Sequence, residues 1–283
     1  MINFRKERNF EQLITATFQF IRQEYKPFLR LIIRITSPFL ALMLIGLVGY
    51  LNSLSTLSSN LINVDTSNPV QLIVSITLIV LFGGSAYLLA HATTLYYIES
   101  YVANNGLVDP KEIQQKTFQN FFSFLGLGIV SIFIILFGFI FCIIPGIYLT
   151  IPLSLVFSIL VFENKGVIES VEASLKLIKD EWWNSFLFLL VIGILLGVAG
   201  SVFSIPSAIY MLLKTFVSSD GFNPAAIDSM GTDYIYLALN VLSYALQFFI
   251  NLISMVATAF LYFSISEKKT GKGISEIIEN IGN

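Results

Sequence analysis

The chain has 283 residues, of which 55% are hydrophobic types and only 12% are charged, with a formal net charge of −2 and a mean hydropathy of +0.80. A soluble domain carries about twice that charged fraction, so these side chains cannot coat a water-soluble globule. The near-neutral charge points to neither a nucleic-acid nor an acidic partner, and a lone cysteine, Cys142, excludes an intrachain disulfide.

The first 25 residues mix charged and apolar types and hold no apolar core before a small-residue cleavage site, so they do not read as a signal peptide. Residues 8–26 predict an amphipathic helix. At 100° per residue, Phe10, Leu13, Ile14, Thr17, Phe18, Ile21 and Tyr25 fall on one side; Glu11, Gln12, Gln19, Arg22, Gln23 and Lys26 fall on the other. Such a helix is expected in the interfacial plane, its apolar face at the acyl boundary.

Crossing a bilayer takes about 20 apolar residues at ~1.5 Å each. Six runs approach this: about 28–51, 70–98, 120–144, 147–162, 185–216 and 234–265. The fourth is short and contains Pro152. Pro145-Gly146 before it reads as a tight turn, making a hairpin of the third and fourth spans or, alternatively, a re-entrant pair.

Lys and Arg near span ends stay on the cytosolic side. Alternate segments hold every one of the 16 basic residues except Lys214. This distribution predicts six crossings with both termini cytosolic. The opposite connections, 52–69 and 217–233, carry Asp65, Asp220, Asp228 and Asp233 and are expected to be solvated loops.

The amphipathic design recurs 157 residues later, in 166–183. Val167, Val171, Ser174, Leu175, Ile178 and Trp182 face one way, while Glu169, Glu172, Lys176, Lys179 and Asp180 face the other. A weaker version precedes the third span, with Asp109 as N-cap and Pro110 at the first helical position. Three units are therefore predicted, each a surface helix followed by a hairpin. Tyr25, Trp182 and Trp183 fall where an interfacial aromatic belt is expected.

Polar groups inside spans face other helices or water, because lipid leaves them unsatisfied. Asn240, Ser243, Gln247, Asn251, Ser254 and Thr258 share roughly 80° of arc on the sixth span. They could bond between helices or line a path for a solute or lipid headgroup. Arg30 and Arg34 share a face of the first span, one turn apart. They read as snorkelling to headgroups, as pairing with Glu99 or Glu163 at the ends of the second and fourth spans, or as an anionic-lipid or phosphate site. His91, the single histidine, reads as a packing residue. No catalytic, cofactor-binding or metal-ligand set is expected, because the chain lacks a phosphate loop, a dinucleotide fingerprint and a nucleophile elbow. Gly193 and Gly197 form a GxxxG with Gly200 nearby; Gly83-Gly84-Ser85-Ala86 and Gly126/Gly128 are further small patches for close helix approach, within one chain or between chains.

Ile144-Pro145-Gly146-Ile147-Tyr148, Pro152, the run Leu160 to Gly166 and the helix Glu169 to Trp182 resemble the membrane domain of glycerophosphoryl diester phosphodiesterases and related six-helix bacterial membrane proteins. The resemblance covers about 40 residues well. It implies a helical membrane fold. In that family hydrolysis belongs to a separate barrel domain with a His/Glu motif, which this sequence does not contain, so the activity does not carry over. A carotene-cleaving oxygenase, which resembles iron proteins with four histidine ligands, is disfavoured by the single His91.

The expected fold is all-α: a polytopic membrane helical bundle of six transmembrane helices with cytosolic amphipathic helices, forming one membrane domain over 1–283. The expected role is non-enzymatic, an assembly or interaction component of the bacterial inner membrane. Its partners would be the lipid bilayer and a membrane protein or second copy, with no nucleic acid and no cofactor. The alternative is a carrier of a lipid or small solute along the sixth-span face.

Overall fold

A computed structural model describes residues 2–60, 69–217 and 229–271. Most of the two connections expected on the acidic side therefore lies outside the described residues. The described chain is an all-α helical bundle. Six helices, or pairs of helices, are long and apolar enough to cross a membrane. The protein is a multi-pass membrane protein.

Helix α1 runs unbroken over Phe10–Asn60. Helix α2 (Pro69–Leu78) passes through a π turn, Ile79–Gly83, into α3 (Gly84–Ala103). Helix α4 (Pro110–Gln119) precedes α5 (Phe121–Phe141); α6 (Ile143–Leu153) and α7 (Val156–Phe162) together make the fourth span. Helix α8 (Val167–Ile178) leads to α9 (Trp182–Val217), and α10 (Tyr234–Thr270) closes the chain after a 3₁₀ turn at Ser229–Thr232.

The surface helix expected over 8–26 is the first part of α1 and not a separate element. The segment is apolar on two sides. Leu13, Ala16, Thr17, Phe20 and Phe28 are buried, whereas Phe10, Phe18 and Tyr25, on the face expected at the acyl boundary, are exposed. By contrast, α8 buries Ser170, Val171, Ser174 and Ile178, close to the expected face. The Glu169 carboxylate accepts from the Gly166 amide at 3.1 Å, fixing the start of α8. Residues 179–181 separate α8 from α9, so the first and third predicted units differ where surface helix meets span. The α4 start matches its prediction: Asp109 accepts from the Lys111 amide at 2.9 Å, and Pro110 opens the helix.

The hairpin between the third and fourth spans turns at Cys142, not at Pro145-Gly146. Cys142 is extended (φ −171°, ψ 154°), and α6 already includes Pro145 and Gly146. Proline is tolerated in a first helical turn because its missing amide would find no partner there. Gly146 instead permits close approach: a Cβ there would lie 2.6 Å from the Phe139 ring, and one on Gly138 would lie 3.0 Å from Gly146 Cα. After Pro152 the fourth span breaks between α6 and α7, at Ser154 and Leu155.

The chain divides into two compact units. The first comprises Met1–Ile35, Leu88–Leu195 and Leu252–Asn283. Its core is aromatic. Phe4 stacks on Phe260 at 4.3 Å, and Phe20 meets Phe4, Phe28, Tyr97 and Tyr101 edge-on. The second unit comprises Thr36–Tyr87 and Leu196–Asn251. There α1 and α2 meet through small residues. A Cβ on Gly46 would lie 2.8 Å from Leu78 Cβ, and one on Gly49 would lie 2.5 Å from Ser75 Oγ. The GxxxG pair expected in packing, Gly193 and Gly197, has nothing within 4 Å of either Cβ position.

Candidate functional site

Two of the six sixth-span stripe residues, Ser243 and Gln247, bond to a neighbouring helix. In the second unit the Ser243 hydroxyl lies 2.5 Å from the Phe203 carbonyl and 2.7 Å from that of Leu239. The Gln247 amide donates to Ser204 Oγ at 3.0 Å, beside Gly200, where a Cβ would lie 3.7 Å from Gln247. Pro206 has no amide to offer the Val202 carbonyl; the Ser243 hydroxyl meets the next carbonyl of that turn, Phe203. Asn240 and Asn251 donate to carbonyls of their own helix, Tyr236 at 2.8 Å and Gln247 at 3.0 Å. In the first unit Thr258 donates to Met255 at 2.9 Å, and Ser254 is half-buried.

Of the four charged candidates, none pairs with another. Arg30 and Arg34 are exposed. Glu99 pairs instead with Lys116 at 3.0 Å, and Lys116 also reaches Glu112. Glu163 pairs with Lys165 and accepts from the Tyr262 hydroxyl at 2.9 Å. The two carboxylates share a place all the same. Glu99, Glu163, Lys165, Tyr262, Arg5 and Glu267 line one cavity of about 830 Å³ in the first unit, with Phe162 and Phe263 as apolar wall. Three acids and two bases beside aromatic rings make a mixed-charge lining suited to recognising a polar group.

Sequence reasoning missed the role of the N-terminal segment here. Ile2 and Phe4 are buried, and the Ile2 amide donates to Tyr101 Oη at 3.3 Å. The Arg8 amide donates to Ser264 Oγ at 3.0 Å, and the guanidinium lies 5.2 Å from the Phe260 ring centre. This segment contributes Arg5 to the larger cavity and Glu7, Arg8 and Phe10 to a second one of about 450 Å³. Glu181 also lines the second cavity. Its carboxyl is held below the usual range, first by the hydrogen bond from Lys268 and then by Asn184. The signal was present as two large apolar residues, Ile2 and Phe4, ahead of any helical period.

Two further expected residues are placed plainly. His91 is buried against Phe157, ring centres 4.6 Å apart, as a packing residue. Cys142 is exposed at the α5–α6 turn. No group of three metal-ligating side chains is found among the described residues.

In the second unit Asp233 ties the end of α9 to the start of α10. It accepts from the Ile235 and Tyr236 amides at 2.9 and 3.1 Å, from the Tyr210 hydroxyl at 2.9 Å, and from Lys214. Lys214, the one basic residue on the sparse side of the charge distribution, thus has an acid partner. Compared with protein families, curated proteins and solved structures, the chain matches none.

Proposed function

We propose that the chain is a non-enzymatic integral protein of the bacterial inner membrane, with both termini cytosolic, serving as an assembly or interaction component. One observation carries this reading: Ser243 and Gln247, in the middle of the polar stripe, spend their donors on α9 and so act in interhelical packing. A transport path would instead need those groups turned to water or ligand. The open polar chemistry lies in the ion-paired cavity of the first unit, whose residues the charge distribution assigns to the cytosolic side. The resemblance to six-helix bacterial membrane proteins belongs to the same proposal and supplies its expected membrane.

Isolation of the native protein in mild detergent tests the role. A reproducible stoichiometric partner is expected; recovery as a lone monomer in repeated preparations counts against it. Replacing Asn240, Gln247 and Asn251 together by leucine separates this reading from a carrier. A carrier would lose transport while remaining folded, whereas a packing role predicts lowered thermal stability of the purified protein. Labelling of single introduced cysteines from either side of the membrane tests the orientation.

A further inference from the structure

Arg22, Lys26, Arg30 and Arg34 stand at every fourth position of α1, and all four are exposed. Consecutive members are separated by about 6 Å of helix rise, and the row spans about 18 Å. Like charges four apart on a helix repel one another. No acidic residue stands three or four positions from any of the four. The nearest acid in sequence, Glu24, is hydrogen-bonded to the Tyr97 hydroxyl at 2.8 Å. No ion pair compensates the row among the described residues.

Two further features identify what does. Exposed Phe18, Tyr25 and Ile33 lie beside the cations on the same side of the helix, so the surface alternates positive heads with apolar bodies. The row also ends at Arg34, where a stretch without charged residues begins at Ile35 and continues to Val64. A surface that is cationic and apolar together, abutting a bilayer-crossing helix, matches the boundary between phosphate headgroups and acyl chains. We infer that the Arg22–Lys26–Arg30–Arg34 row is a docking face for anionic phospholipid. Each guanidinium takes phosphodiester oxygens through its forked donors, while Ile33, beside Arg34 at the start of the uncharged stretch, enters the acyl region. Zwitterionic lipid satisfies the row less well, because its own ammonium competes for the phosphate. The inference rests on the multi-pass membrane character and is independent of the assembly role.

The full chain, purified in detergent, is titrated with phosphatidylglycerol or with phosphatidylcholine of identical acyl chains, and retained lipid is counted by native mass spectrometry. Phosphatidylglycerol is expected to bind about tenfold better or more, with about a fivefold loss for each cation replaced by glutamine. R22Q/K26Q and R30Q/R34Q are measured separately. R22K/R30K/R34K, which keeps the charge, should keep most of the preference. Equal retention of the two lipids by the unaltered chain overturns the inference and leaves the row to an acidic protein partner. A preference unchanged in both folded double variants overturns it as well. Should neither double variant fold, a salt series on the unaltered chain decides, because a preference that does not fall with ionic strength is not carried by these charges.

Discussion

Replacing Asp233 by alanine removes three kinds of contact at once from the α9–α10 corner. Two are backbone caps, the Ile235 and Tyr236 amides, worth together about 1 kcal/mol. The third partner, the Tyr210 hydroxyl, adds a partly exposed hydrogen bond. The Lys214 pair adds at most about 1 kcal/mol, since its lysine is 28% exposed. D233A should therefore lower unfolding stability by roughly 2–3 kcal/mol. D233N should lose only about 1 kcal/mol, because asparagine caps as well as aspartate but cannot hold the ammonium. Thermal unfolding of the purified protein, followed by circular dichroism, measures both. The Lys214 hydrogen bond, with the Tyr236 amide and Tyr210 hydroxyl, holds the Asp233 carboxyl at about 2, below its ordinary value of 3.8. A depressed carboxylate contributes fully above its unfolded value. The advantage over D233N is therefore intact above about pH 4 and fades as pH falls toward about 2. Equal losses in D233A and D233N, or a gap between wild type and D233N that persists into acid, would refute the assignment of cap and ion pair.

Other outcomes follow from the packing. G146A and G138A should each cost about 1–3 kcal/mol through overpacking at the α5–α6 contact. G193A and G197A meet open space and should stabilise by about 0.5–1 kcal/mol through helix propensity; melting temperatures of the four variants test that order. Phe4→Ala should cost about 3–5 kcal/mol, because the ring is 1% exposed and stacked on Phe260; chemical unfolding of the purified chain reads it. E181Q should cost less than about 1 kcal/mol at neutral pH, and the difference should vanish as pH falls through the carboxylate range, since Lys268 and Asn184 stabilise the charged form.

Much of this was legible in the sequence, and for a physical reason. Lipid requires long apolar runs, so the six spans are written in composition. The Asp109-Pro110 start and the buried face of α8 depend on local chemistry and were equally readable. Where two environments share one chemistry, the sequence is less telling. Phe18 and Phe20 are alike as residues, yet Phe20 meets protein and Phe18 is exposed, and no local pattern marks the second, buried side. Pro145-Gly146 carries the composition of a turn, but its glycine serves a ring contact that only the folded hairpin reveals. The Glu99–Glu163 cavity needed Arg5, Tyr262 and Glu267 from distant parts of the chain, and no local pattern joins these.

The π turn at Ile79–Gly83 has a consequence for how this helix tolerates changes of length. A π turn holds one residue more than the α-helical turn it replaces. Removing one residue within it would restore ordinary helix and leave the facing of both flanks unchanged. A deletion elsewhere along α2 or α3 would rotate every later side chain by about 100°. The second span thus contains a slack link: a short stretch where the chain can be shortened while the positions on either side keep their neighbours.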